Sequence, residues 1–313
     1  MSVTSKKNFE VRGKWVGSKL SKTVFFISNN IRALFFPVSK LNILFSKGYR
    51  NEKSIRRGFY FLHHNLKFDS FTPENIKKSD LVVPLLIEDA RILAKSRDLV
   101  KDKLLQSSSI ETIEICDNKF LFNETLIEKG FGDLIPRIGN DLPFPFLLKK
   151  RITFGGDDTY VVTDEATKSK LSHLINKGEY FCQEIVEGTN ECATHILFKN
   201  GKIADSLTVE YTFYNDKPIN GKEGFICSNI VKCPHLDKFA AILKAIEYEG
   251  ICCFDYKVVA GQPKIFEINP RFGGSLGNYF SALLPNLIRA SKTEEDTYSF
   301  ASPVTNRVNS SPS

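Results

Sequence analysis

The segment Phe266-Glu-Ile-Asn-Pro-Arg-Phe-Gly-Gly-Ser275 holds the densest chemistry in the chain. Side chains alternate across a strand, so Glu267 and Asn269 share one face and Ile268 takes the other. A turn in Ala260-Gly-Gln-Pro263, centred on Gly261 and Gln262, brings Asp255 back roughly opposite them. Two carboxylates and an amide carbonyl are hard oxygen donors, a set suited to Mg²⁺ held with help from substrate phosphates. Just beyond them, the planar fork of Arg271 could clamp a phosphate or carboxylate. Gly273-Gly-Ser275 can offer backbone N–H groups to the same anion, ahead of a helix expected near Leu276. Taken singly, Asp255 is a solvated strand residue and Arg271 a surface ion pair; their spacing together points to a metal-phosphate site.

These residues need a scaffold, and the sequence supplies signals for one. Short apolar runs at 23–28 and 81–86 read as buried strands, each followed by a helix-compatible stretch, the second spanning 88–105. From Cys116 onward the spacing predicts a helix over 119–129 capped by Gly130, then a strand over 146–150 leading into Thr153-Phe-Gly-Gly-Asp-Asp-Thr159. A helix capped by Thr163 or Asp164 ends before Gly178, and a strand follows over 180–186. Strands over 191–199 and 202–214 flank Asn200-Gly201, a strong hairpin signal. A helix over 234–248, a strand over 251–259 and its partner over 264–268 complete the pattern, and 302–313 is a polar Ser-, Asn- and Pro-rich stretch.

The 313 residues are 42% hydrophobic and 25% charged, an ordinary globular composition. No apolar run approaches the roughly 20 residues of a membrane span, and neither a membrane partner nor secretion is expected. Seven scattered cysteines, an odd number, do not suggest a disulfide framework and fit a reducing cytoplasm. Cys227, Cys233 and His235 lack a fourth ligand at zinc spacing. Residues 1–57 hold thirteen Lys or Arg against Glu10 and Glu52, a net +11, while the remainder is −4. Such a stretch reads first as a solvated surface, and without an RNA-binding consensus or zinc-finger spacing no nucleic-acid partner is expected. Neither a P-loop nor a dinucleotide-binding glycine pattern occurs.

Glu267-Ile-Asn-Pro-Arg-Phe-Gly-Gly274 resembles the metal-binding signature of the ATP-grasp superfamily, in the style of its carbamoyl-phosphate-synthetase-like and biotin-carboxylase-like members. The resemblance covers about 119–288. It implies an α/β (α+β) chain: an N-terminal α/β pre-ATP-grasp domain over 1–115, then a two-lobed ATP-grasp fold with antiparallel sheets over 116–290. A lid would occupy about 145–187, and 291–313 is expected to be a disordered tail. The resemblance further implies ATP with Mg²⁺, or Mn²⁺ in its place, held by Asp255, Glu267 and Asn269. Lys119 and Lys149 resemble the two nucleotide lysines, and Gln183-Glu-Ile-Val-Glu-Gly188 the hinge. Gln183, Glu184 and Val186 would then meet the adenine and Glu191 the ribose, while Arg271 and Lys149 serve catalysis. The loop at 155–158 carries acids where the family often has lysine or glycine.

The implied activity is a cytoplasmic carbon-nitrogen ligase acting on small-molecule carboxylate and amine substrates, and a homodimer is compatible with it. Three other readings stand beside it: an ATP-grasp phosphotransferase, a non-catalytic nucleotide-binding regulatory protein, and a polyanion binder using the basic first 57 residues.

Overall fold

The structure, a computed structural model, describes residues 23, 40–48, 51–60, 62–153, 156, 158–219 and 221–299. Apart from Thr23, the strand expected at 23–28 lies outside the described residues, as do 302–313, most of the basic stretch, and Gly155 and Asp157 of the acidic loop.

Strands β1 (Asn42–Ser46), β2 (Asn65–Asp69) and β3 (Leu81–Val83) form a parallel sheet in the order β2-β1-β3. Helix α1 (Glu52–Gly58) connects β1 to β2, and α2 (Pro73–Lys77) connects β2 to β3. Because side chains alternate, Leu44 packs with Ile76, Val82 and Leu93 on one face. Ile43 and Phe45 enter the other, with Phe272, Phe280 and Leu284. The stretch expected as one helix over 88–105 is instead α3 (Ile87–Lys95) and α4 (Arg97–Val100), broken at Ser96, whose φ of −116° and ψ of 32° leave the helical region.

Helices α5 (Ile110–Asp117) and α6 (Lys119–Glu128) lead to a second sheet, antiparallel, of β4 (Phe146–Lys150), β5 (Thr159–Val162) and β6 (Tyr180–Glu184), with β4 central. Phe146 and Leu148 turn toward α7 (Glu165–Ile175), packing with Leu171 and Leu174. That leaves Leu147 and Lys149 facing the cleft.

The largest sheet has the order β11-β10-β7-β8-β9, formed by β7 (Asn190–Lys199), β8 (Lys202–Phe213), β9 (Phe225–Val231), β10 (Gly250–Val259) and β11 (Gln262–Asn269). One face is covered by α5, α6 and α8 (Leu236–Ala245), where Phe122, Phe239 and Ile242 meet Ile196, Phe198, Cys252 and Phe254. The other face carries the polar residues of the cleft.

Two expectations are corrected. The helix expected near Leu276 is a single 3-10 turn, Gly274–Leu276, and the α-helix α9 begins only at Leu284. Helix α9 then runs to Ser299, so the first residues of the tail expected at 291–313 are helical. Leu284, Leu287 and Ile288, at helical spacing, are buried in the core and anchor it.

Candidate active site

The hairpin β10–β11 turns at Ala260-Gly261, both at positive φ (48° and 76°), one residue earlier than the expected centre at Gly261 and Gln262. The pairing sets Asp255 opposite Glu267 and Cys253 opposite Asn269, with an irregularity between Asp255 and Tyr256. On the neighbouring strand Ala193 lies opposite Asp255 and His195 opposite Cys253. Alternation therefore collects Glu191, His195, Asp255, Glu267 and Asn269 on one face.

The three expected metal ligands converge. Asn269 Nδ2 donates to Asp255 Oδ2 at 2.9 Å and to Glu267 Oε1 at 3.1 Å, while Asn269 Oδ1 accepts from Arg271 Nη2 at 3.1 Å. Lys119, at the first position of α6, is itself buried; its Nζ lies 2.9 Å from Glu267 Oε2 and donates to the Thr153 carbonyl at 3.0 Å. Asn118 caps that helix, accepting from the Phe120 and Leu121 amides. From the opposite wall Lys149 Nζ donates to Gln183 Oε1 at 3.1 Å and stands 5.8 Å from the centre of the Phe266 ring. Seven of the expected residues thus line one cleft of about 570 Å³ between the second and third sheets.

Electrostatics distinguish the two acids. Burial, then repulsion from Glu267 and Glu191, pushes the Asp255 carboxyl well above the usual range. Burial opposes ionisation of Glu267 too, but Lys119 and Lys149 outweigh it and hold that carboxyl at about 2. Burial lowers Lys149 to about 8, with Glu267 partly opposing the shift. A pair of carboxylates with a carboxamide is a hard-oxygen set, so these residues fit a cation of the Mg²⁺ class once Asn269 turns its oxygen inward. No group of three or more His, Cys, Asp or Glu side chains able to hold a metal occurs among the described residues.

Glu184, Val186 and the buried Glu191 also line the cleft. The Glu184 side chain turns to Arg137, with Oε2 2.8 Å from Nε. Asp158 of the acidic loop is engaged as well: Thr153 Oγ1 donates to it at 3.2 Å, and Lys150 Nζ lies 3.6 Å away.

Sequence reasoning missed Lys257, which is buried in the cleft and donates to the Val186 carbonyl at 2.9 Å and the Asp216 carbonyl at 3.4 Å. It lies two residues after Asp255 on the same face, so strand alternation alone could have found it. Tyr211 and Ser275 also line the cleft, and His195 lies beneath Ser275. His195 and Tyr211 sit on the paired strands β7 and β8, and packing between distant segments brings Ser275 to His195.

No protein-family model matches the sequence, and no curated protein matches it. Solved structures do. The chain is similar to a D-alanine–D-alanine ligase from Bacillus anthracis over 83% of its own length and 100% of that chain, at 16% identity and a TM-score of 0.53. That ligase has also been solved in complex with ATP. A phosphoribosylamine–glycine ligase from Thermotoga maritima is similar over 80% of this chain and 76% of that one, at 13% identity and a TM-score of 0.57. An L-amino acid ligase from Bacillus licheniformis is similar over 77% and 69% respectively, at 14% identity and a TM-score of 0.53. At such identities the likeness is one of fold, and the fold is the ATP-grasp that the 267–274 segment implied.

Proposed function

We propose that this chain is an ATP-dependent ligase that joins a carboxylate to an amine-type nucleophile through an acyl phosphate. The observation that carries this reading is the gathering of Asp255, Glu267, Asn269, Arg271, Lys119 and Lys149 in one cleft. The ATP-grasp fold supports it, since the solved neighbours are ligases by name. The same reading divides the chain at about 115/116 and makes 145–187 a lid.

In this reading the adenine lies against 183–186, the ribose toward Glu191, and the phosphates toward Lys119 and Lys149, whose compact positive charge suits them. Asp255, Glu267 and the oxygen of Asn269 would hold Mg²⁺, which when bound neutralises charge on the phosphoryl oxygens. A substrate carboxylate oxygen attacks the γ-phosphorus, and the bond to the bridging oxygen breaks to release ADP. The amine lone pair then attacks the acyl carbon, phosphate leaves with the bonding electrons, and the nitrogen loses a proton. Arg271 steadies charge on the carboxylate and acyl phosphate, while the protein aligns reactants rather than forming bonds itself.

The test is a panel of carboxylic acids with Mg-ATP and hydroxylamine, scored for ADP and hydroxamate. At least one acid should yield both in equal amounts. Glu267→Gln should slow that turnover by roughly 10²-fold or more at limiting Mg²⁺, the scale of losing one group that stabilises transition-state charge. A stable phosphoester in place of hydroxamate would make the protein a phosphotransferase. No thermal stabilisation by saturating Mg-ATP would overturn the reading altogether, because a ligand selective for the native state must stabilise it.

A further inference from the structure

A second cavity, of about 380 Å³, opens at the outer edge of β6, where the 138–140 segment, the start of α6 and the end of α7 meet. Phe120, Ile138, Ile175, Tyr180 and Phe181 give it largely apolar walls, and among the described residues Arg151 is the one charged side chain that lines it. The chain holds Arg151 there from both sides: its amide donates to the Glu179 carbonyl, and its carbonyl accepts from the Lys119 amide, each at 2.8 Å. The proposed reaction makes no use of it.

The Arg151 guanidinium is stacked rather than paired. Its central carbon lies 4.0 Å from the centre of the Phe120 ring, which in turn tilts onto Phe181 at 5.6 Å. Nε is buried with no hydrogen-bond partner. Among the described residues the group meets no carboxylate: Asp158 is engaged by Thr153 and Lys150, while Asp141 and Glu179, beside the cavity in sequence, are exposed. A guanidinium only donates and keeps its charge, so stacking leaves its in-plane hydrogens without a protein acceptor in a half-buried setting. A carboxylate brings two acceptors to that edge, and a flat ring attached to it matches the aromatic walls. A cavity of this size suits one small molecule of that kind.

The walls of this cavity are chain neighbours of the main cleft. Phe120 follows Lys119, Arg151 stands two residues past Lys149, and Cys182 precedes Gln183. Lys119, whose amide is held by Arg151, sends its Nζ to Glu267 and to the Thr153 carbonyl. Ile138 bridges to Gln183, which accepts from Lys149. A shift of Arg151 or Phe120 therefore bears on the lysines of the cleft.

We propose that this cavity is a second binding site, separate from the main cleft, for a small aromatic carboxylate, and that its occupancy is linked to nucleotide binding through Arg151 and Lys119. The carboxylate bound here is an effector and takes no part in the ligation.

Benzoate is the probe, titrated into the full-length protein and followed by methyl NMR. Ile138 and Ile175 report this cavity, and Ile185, Ile219 and Ile230 the main cleft. Benzoate should shift Ile138 and Ile175 saturably, and bind at least about fivefold more tightly than benzyl alcohol, which lacks the charge, or acetate, which lacks the ring. Arg151→Gln should weaken benzoate about tenfold or more, with Arg151→Lys, which keeps the charge but not the fork, recovering part of the loss. Thermal melts identify a variant that fails to fold, and if Arg151→Gln does so, Arg151→Lys decides in its place. Shifts confined to the cleft methyls, no saturation, equal binding of benzyl alcohol, or unchanged affinity in the Arg151 variants would overturn the site. Saturating benzoate should change the calorimetric affinity for Mg-ATP by about fivefold or more, and Mg-ATP should change that for benzoate by the same factor. Equal affinities would overturn the link. Absence of any Mg-ATP binding would overturn the ligase reading and the link together, while the Ile138 and Ile175 titration still decides the site.

Discussion

Arg271 donates from Nη2 to Asn269 Oδ1 and from Nη1 to the Phe272 carbonyl, both at 3.1 Å, so its guanidinium plane is oriented by two acceptors beside the β10–β11 hairpin. A lysine keeps the charge but cannot span both. Arg271→Lys should therefore lower kcat with little change in ATP affinity, by the equivalent of roughly 2.7 to 4 kcal/mol if the contact forms mainly in the transition state. Steady-state kinetics on whichever acid the hydroxamate screen identifies will show it. Full kcat with weaker acid binding would instead make Arg271 a ground-state anchor. His195 supports a second prediction at this scale. Its pKa falls from 6.5 to about 3 because burial disfavours the charged ring. The unfolded chain thus binds the extra proton between these values, and stability present above 6.5 is lost as pH falls toward 3. At pH 5 the loss is about 2 kcal/mol. Urea melts at pH 5 and 8 should show that excess acid sensitivity in wild type and not in His195→Gln. Equal slopes would mean that the imidazole charges freely in the fold.

Two hairpins of the large sheet make an instructive pair. The β7–β8 turn uses Asn200-Gly201 at φ 49° and 71°, residues that accept left-handed backbone readily. The β10–β11 turn demands the same of Ala260 at φ 48°, which an alanine meets only at a steric cost. Ala260 is exposed, so Ala260→Gly or Ala260→Asn should stabilise the protein by about 0.5 to 1 kcal/mol, read as a higher urea midpoint at unchanged slope. A lower midpoint would mean that the Ala260 methyl has a packing role. What the sequence disclosed follows the same division between local and distant causes. Alternation and turn residues made β4, β6, β7, β8 and the β10–β11 hairpin legible, and with them the convergence of Asp255, Glu267 and Asn269. The 3-10 turn at 274–276 was not legible, because Ser275 is tied to His195, eighty positions away in the chain. Nor was the contact between Lys119 and Glu267, which exists only because α6 packs on the large sheet.

Across the whole molecule, the parallel sheet is fastened to the turn that follows the β10–β11 hairpin. The Phe272 amide donates to the Pro84 carbonyl at 2.9 Å, Ser281 Oγ donates to the Gly58 carbonyl at 2.7 Å, and Phe45 meets Phe272 and Phe280 edge to face. The rigidity of the Arg271–Ser275 stretch is therefore borrowed from both ends of the chain. That bears on how the molecule stands without the cation that the proposed function assigns to it. Two half-buried acids facing each other would ordinarily force a hairpin apart, yet here the Asn269 amide bridges them and Lys119 sits against Glu267. Zinc-finger modules collapse when stripped of metal, since the metal's binding energy is their folding energy. This chain should behave oppositely: exhaustive dialysis against EDTA should leave the melting temperature unchanged, and only nucleotide with Mg²⁺ should raise it. A fall on chelation would mean that the acids are not quenched from within. The fold supplies Glu267 with a counter-ion from α6, so under the proposed function a newly made chain can reach its finished shape before it meets either metal or nucleotide, and loading becomes an exchange of partners rather than a step of folding.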